Sequence, residues 1–287
     1  MVSTPQMRRL ARILLCVVLL LTTSCSSTKF VYNRLDFFLP WYLGRYVDLD
    51  KSQSKALDAH LERLLPWHRY EELPAYLNTL ADVEESLGSA VTVEQVAYYA
   101  DEFEQAWYRV RDEAMEVMLD LGETLDQKQI DQFLKKLRKQ QKKFERKYLS
   151  RSADEVADDA YDDLKDSFSD FLGRLSKDQR QILRNAAGDL VRSDEYWLSE
   201  RANWISFVAD ELARTPGWQD RIRATIVNWE EQLDAEALAV YEANTLRVQE
   251  AAVQILNSRS EKQDKRLRRE IGKLVDDLTE LSEKDRL

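Results

Sequence analysis

A helix-start signature recurs six times along this chain and constrains its fold more than any other feature. A Ser, Thr or Asp is followed three residues later by Gln or Glu, just ahead of an apolar series of helical period. The matches are Asp50–Gln53, Thr92–Gln95, Asp126–Gln129, Ser152–Glu155, Ser176–Gln179 and Ser260–Gln263. In such a capping box the first side chain accepts from a backbone N–H of the first turn, and the Gln or Glu reaches back to the cap's own N–H. These residue types are common, so one match carries little; six, each in front of a 3.6-residue stripe, mark helix starts. The stripes include Leu57, Leu61, Leu64 and Leu65, then the long series from Val93 to Leu121, and a closing series Leu267, Ile271, Leu274, Leu278 and Leu281. The last has the 4–3 spacing of a helix packed on helices. No stretch alternates with period two, and seven Gly and five Pro in 287 residues leave room for few turns. The fold class expected is all-α, a single multi-helix domain of about nine or ten helices over residues 50–287. Gly88, Gly122 and Gly173 each follow the last apolar residue of a stripe, where a left-handed C-cap is wanted.

The chain opens differently. Arg8, Arg9 and Arg12 precede the apolar run Ile13 to Leu21, and Thr22, Thr23 and Ser24 lead to Cys25. A basic start, a short apolar run and a small-residue end form the pattern of an export signal. The run falls short of the roughly 18 apolar residues that a spanning helix needs. Its ending resembles the lipobox of bacterial lipoproteins. That resemblance implies diacylglycerol on the Cys25 thiol, cleavage ahead of Cys25, and a further acyl chain, palmitate for example, on the new amino terminus. Two or more chains anchor stably, since each buried methylene contributes about 0.8 kcal/mol. Ser26 stands where an Asp resembles an inner-membrane retention signal, so the implied location is the periplasmic face of the outer membrane. The expected divisions are therefore 1–24 signal peptide, 25–49 lipidated N-terminus with an aromatic-rich lead segment, and 50–287 helical domain.

Removing the leader takes away three arginines and no acid, so the formal charge moves from −10 to −13. That balance argues against nucleic acid as a partner. Cys16 leaves with the leader and Cys25 is lipidated, so no disulfide is expected. The two histidines, His60 and His68, stand eight residues apart, about 80° beyond two full helical turns, with Pro66 between them. They are poorly placed to share a metal, and they read as ordinary surface or boundary residues. No HExxH, GxSxG, P-loop or GxGxxG spacing occurs. No catalytic, metal or cofactor site is expected. Two classes of function survive: a non-enzymatic, tethered protein that binds envelope proteins or unfolded polypeptide as a scaffold or chaperone-like holder, and an enzyme acting on cell wall or lipid through a carboxylate pair. The absence of any motif with catalytic spacing favours the first.

Seven aromatics crowd Phe30 to Val47: Phe30, Tyr32, Phe37, Phe38, Trp41, Tyr42 and Tyr46. Apolar density of this kind reads first as burial, a first plank of the core. The second reading is a membrane-proximal collar, because Tyr and Trp favour the bilayer interface. Further along, Trp107, Trp197, Trp204, Trp218 and Trp229 are candidates for contact with a partner, set against plain core packing. Lys135 to Arg151 carries nine basic residues against Glu145 alone, and Asp154 to Asp170 carries eight acidic residues against Lys165 alone. A turn at Ser152 would lay the two helices side by side with opposite charges adjacent. The alternative is that the basic face, with Lys135, Lys136, Lys139, Lys142 and Lys143, stays unpaired and leans on anionic phospholipid.

Two resemblances complete the reading. Leu49 to Gln53, Leu125 to Gln129 and Leu175 to Gln179 resemble the Leu-Thr-x-x-Gln element of small helical periplasmic chaperones, with Asp or Ser in the place of Thr. Tyr32-Asn-Arg-Leu-Asp36, Tyr46-Val-Asp-Leu-Asp50, Trp67-His68 and Glu72-Leu-Pro-Ala-Tyr76 resemble a family of uncharacterised bacterial lipoproteins, over nearly the whole mature chain. The second resemblance implies a helical envelope protein and brings no known activity.

Overall fold

The protein is described here from a computed structural model covering residues 25–283, so the leader, residues 1–24, lies outside the described residues. Among the described residues there is no strand. The helices are α1 (Cys25–Tyr32), α2 (Leu35–Leu43), α3 (Lys51–Trp67), α4 (Leu73–Ser86), α5 (Val93–Thr124), α6 (Gln127–Tyr148), α7 (Ala153–Leu172), α8 (Lys177–Gly188), α9 (Asp194–Glu211), α10 (Trp218–Val227), α11 (Ala235–Asn257) and α12 (Glu261–Glu283). A π turn, His68–Glu72, fuses α3 to α4. It sits between Pro66 and Pro74, each of which removes a donor from the helical ladder, so the rod changes pitch there instead of ending. The described residues thus hold eleven separate α-helical rods, against nine or ten expected. The excess is α1 and α2, in the lead segment.

All six capping boxes form. Asp50, Thr92, Asp126, Ser152 and Ser176 each accept from the N3 amide and receive the N3 side chain in return. Ser260 does the same with Gln263. Four of these glutamines do more, and they do it in pairs. Gln53 and Gln129, at the starts of α3 and α6, face each other: Gln53 Nε2 donates to Gln129 Oε1 at 3.0 Å, and Gln129 Nε2 donates to Gln53 Oε1 at 2.6 Å. Gln53 Nε2 also donates to the Thr124 carbonyl, and Gln129 Nε2 to the Asp48 carbonyl. Gln179 and Gln263, at the starts of α8 and α12, repeat the arrangement with the carbonyls of Ser258 and Arg174. In every case the accepting carbonyl lies five residues before the partner glutamine. Each Oε1 meanwhile accepts from its own cap residue's amide. All four carboxamides are buried, and each uses two donors and two acceptors.

The apolar core is distributed around these joints. Leu119, Leu125, Ile130, Leu134, Val208 and Trp218 gather where α5, α6, α9 and α10 meet, beside the first pair. Leu172, Leu175, Leu183, Ile255, Leu267 and Ile271 gather where α7, α8, α11 and α12 meet, beside the second. Leu183 and Ile255 have no exposed surface at all, so truncating either to Ala costs about 2–5 kcal/mol. From α11, Asn257 clamps both backbone groups of Val91 and Asn244 both those of Val191, all at 2.8 Å.

Several expectations need correction. Of the three glycines, Gly173 alone takes a positive φ, +73°, and with ψ at −138° it lies outside the left-handed helical region, so none of them forms the expected cap. Gly122 is helical within α5; a Cβ there would stand 3.1 Å from the Trp218 ring, so close packing explains it. The lead segment joins the core only in part: Val47 is buried, and Tyr32, Leu43 and Leu49 pack against the core, but α2 fully buries none of its residues. Nor do α6 and α7 lie side by side: α6 packs on α9, while α7 packs on α8 and α12.

Gln129→Glu removes two donors that reach Gln53 and Asp48, and it sets a carboxylate against the Gln53 oxygen. We expect a loss of about 2–4 kcal/mol in urea unfolding. Gln95→Glu, in the box at Thr92 whose glutamine reaches no partner helix, should stay within about 0.5 kcal/mol of wild type, since Glu serves a capping box equally well. Equal losses at the two sites would contradict the paired-glutamine account.

Candidate functional site

The densest polar chemistry lies at the π turn. His68 stands between two tyrosines, with Tyr32 Oη 2.8 Å from Nδ1 and Tyr76 Oη 3.4 Å from Nε2. A neutral imidazole carries one N–H, so one tyrosine donates to the ring and the other accepts from it. Burial pushes His68 down to about 4 and drives both tyrosines well above their usual range. One turn on, buried Glu72 receives a bidentate clamp from Arg109 of α5, at 2.8 and 2.9 Å. Arg69 lies over the Tyr32 ring and donates to Asn33 Oδ1 and to the Leu281 carbonyl of α12. Tyr32, Asn33, His68, Glu72 and Tyr76 all come from the segments that carry the lipoprotein resemblance, and here they converge. Each group answers another within the protein. The cluster therefore ties α1 and α12 to the π turn and leaves no free acid or base aimed into a cleft.

The exposed chemistry lies elsewhere. Lys29 of α1 reaches Glu280 at 2.6 Å and Asp277 at 3.4 Å, fixing the first helix to α12 only four residues after Cys25. From there α1 and α2 turn aromatic side chains outward. Phe30 is 59 % exposed, Phe37 61 %, Trp41 56 % and Tyr42 51 %. Phe37 and Trp41 stand one turn apart on α2, and the Arg45 guanidinium lies 5.7 Å from the ring centres of both Trp41 and Tyr42. A cleft of about 250 Å³ beside them is lined by Pro40, Gly44, Val47, Leu49 and Leu57 among others. This aromatic foot adjoins α6. Tyr42 and Tyr46 share a hydrogen bond at 3.0 Å, and Gln140 of α6 donates to Tyr46 Oη at 3.0 Å. Asp48 bonds Gln132 of α6 through its amide and its carboxylate. Lys136 and Lys143 flank Gln140, one turn to either side. Among the described residues, Lys135, Lys136, Lys139, Lys142 and Lys143 enter no ion pair, and all but the half-buried Lys136 are exposed.

The other candidate tryptophans lie in or against the packing. Trp218 is buried, donates to Glu123 and fills the core beside Gly122. Trp204 packs on the same core. Trp197 stacks edge-on against Tyr148 and Phe144, joining α9 to α6. Trp107 and Trp229 are half-buried. His60 lies 3.3 Å from Asp120, remote in role from His68. Among the described residues, no three or more of His, Cys, Asp and Glu gather as metal ligands, and no helix is long and apolar enough to cross a membrane. Aromatic density gives no direction, so the sequence left burial and an outward collar both open, and Phe30, Phe37, Trp41 and Tyr42 turn outward.

The described residues form an all-helical body with no strand. The chain belongs to DUF6279, a family of unknown function, whose model matches residues 45–238, from the end of the foot into α11. A search of curated proteins and a search of solved structures each found no match.

The His68 site has a pH consequence. An unfolded His titrates near 6.5 and the folded one near 4, so the unfolded chain binds the extra proton first. The contribution of His68 to stability is fully present above about pH 6.5 and falls by about 3 kcal/mol as pH drops to about 4. Urea unfolding across this range should show a steeper decline for wild type than for His68→Gln. Parallel curves would contradict the buried neutral imidazole.

Proposed function

We propose that this protein is a lipoprotein held on the periplasmic face of the outer membrane by acyl chains on Cys25, with a non-enzymatic protein-binding, scaffold or chaperone-like role. The observation that carries the reading is the junction at Cys25. An export-type leader ends there, and within four residues the chain is locked to the body by Lys29. An aromatic foot follows at once, and interfacial Tyr and Trp suit that position. The inward, mutually satisfied cluster around His68 and the bidentate Glu72–Arg109 pair favour a binding role over catalysis. Exposed apolar side chains on the helical body, Tyr98 and Met118 on α5 and Leu246 on α11, offer contacts to a protein partner.

Cys25→Ser, expressed in a bacterial host with labelled palmitate, should lose the label and leave the outer-membrane fraction. If the variant takes up label and fractionates as wild type does, the anchor reading fails. Crosslinking of the tethered wild type should capture envelope proteins through the helical body, whereas turnover of peptidoglycan or phospholipid by the purified protein would overturn the non-enzymatic role.

A further inference from the structure

Resting on the lipid anchor at Cys25, we propose that the aromatic foot of α1 and α2 and the lysine face of α6 form one continuous surface that lies flat on an anionic phospholipid bilayer. The first constraint is reach. Four residues separate Cys25 from Lys29, where α1 is already fixed to α12. Even fully extended, four residues span about 14 Å, and α1 is helical from Cys25 onward. A body tethered this closely cannot stand off the membrane, so the side bearing α1 meets the headgroups.

The second constraint is what that side presents. Phe30, Phe37, Trp41 and Tyr42 are more than half exposed, and no residue of α2 is fully buried. Arg45 stands over two of the rings, and Arg34 is exposed beside them. A ring edge in the interface with a cation next to it matches the boundary between acyl chain and phosphate. The third constraint is continuity. The chain of contacts Trp41, Arg45, Tyr42, Tyr46, Gln140 runs without a gap from the foot to α6. On α6, Lys136 and Lys143 lie on the side of Gln140, and Lys139 continues around the helix from them. The chain as a whole is acidic, so general charge would repel an anionic surface. The acidic α7 packs against α8 and α12, however, and does not neutralise these lysines. The protein is charged in patches, and the basic patch adjoins the apolar one. An anionic bilayer is the occupant that matches both patches at once, since it offers phosphate over the lysines and acyl boundary under the rings.

The test is vesicle co-sedimentation of the mature chain, residues 25–287 with Cys25→Ser, on vesicles of phosphatidylcholine alone and with 30 % phosphatidylglycerol, at low and high salt. The absence of lipid on the protein separates this surface from the anchor, which the palmitate experiment reads independently. We expect binding to the anionic vesicles at low salt, weakened at high salt. Lys136→Gln/Lys139→Gln/Lys143→Gln should lower the partition coefficient by about tenfold or more, each cation near such a surface being worth up to roughly fivefold. Phe37→Ala/Trp41→Ala should lower it similarly and leave the salt dependence intact. The charge-matched control Lys177→Gln/Lys262→Gln/Lys265→Gln, with exposed lysines of α8 and α12, should bind as wild type does. No binding to anionic vesicles, equal binding to neutral ones, or an equal loss in the control would each overturn the proposal.

Discussion

Two pairs of buried glutamine carboxamides are the joints on which this helical body turns. Every helix start leaves backbone N–H groups without intrahelical partners, and a local capping box answers them one helix at a time. Here the same side chain that closes the box also crosses to a second helix start. Gln53 with Gln129, and Gln179 with Gln263, each satisfy two donors and two acceptors in the interior. A buried carboxamide left unsatisfied costs about 1–3 kcal/mol. A one-residue slip of either helix would therefore break the whole set at once. Hydrophobic packing supplies the bulk of the stability, but it tolerates small sliding movements. The carboxamide pairs do not, and so they fix the register in which α3 meets α6 and α8 meets α12.

The first joint also positions the exposed surface. Gln129 holds the Asp48 carbonyl, Gln132 holds the amide and carboxylate of the same residue, and Gln140 holds Tyr46. One helix thus grips Tyr46 and Asp48 along its length, and the aromatic foot is the segment just before them. The basic residues of α6 lie on that same helix. Apolar and cationic patches are set side by side by local hydrogen bonds. The Lys29 ion pairs and the Arg69 contact with Leu281 tie α1 and the π turn to α12. The π turn carries the load between the two helices, with His68 buried between tyrosines and Glu72 clamped by Arg109.

Much of the fold was legible in the sequence, because capping boxes and stripes are local devices. All six starts from Asp50 to Ser260 form as read, and the 4–3 stripe from Leu267 buries Leu267, Ile271, Leu278 and Leu281. What the sequence did not carry is tertiary. Gln95 and Gln129 close the same capping box, yet only Gln129 finds a partner helix; Leu precedes the cap at Asp50, Asp126 and Ser176 and Val91 precedes Thr92, but Gln263 pairs behind Arg259, so the local pattern does not decide it. The segment from Phe30 to Tyr46 has the composition of a core element but turns much of its aromatic surface outward, since aromatic density records affinity for apolar surroundings and not where they lie. The family-like motifs pointed to the His68 cluster without revealing that it closes on itself. Gly122 read as a helix end because its role is set by Trp218, ninety-six residues away.

The most direct measurement of the central claim is hydrogen exchange, read by mass spectrometry, in wild type and in Gln129→Ala. If the paired carboxamides couple helix starts far apart in sequence, the substitution in α6 will raise exchange at the start of α3, in peptides covering residues 50–56, as well as around residue 129. Peptides at the start of α8 should be unchanged. Faster exchange confined to α6, with the start of α3 protected as in wild type, would contradict the account.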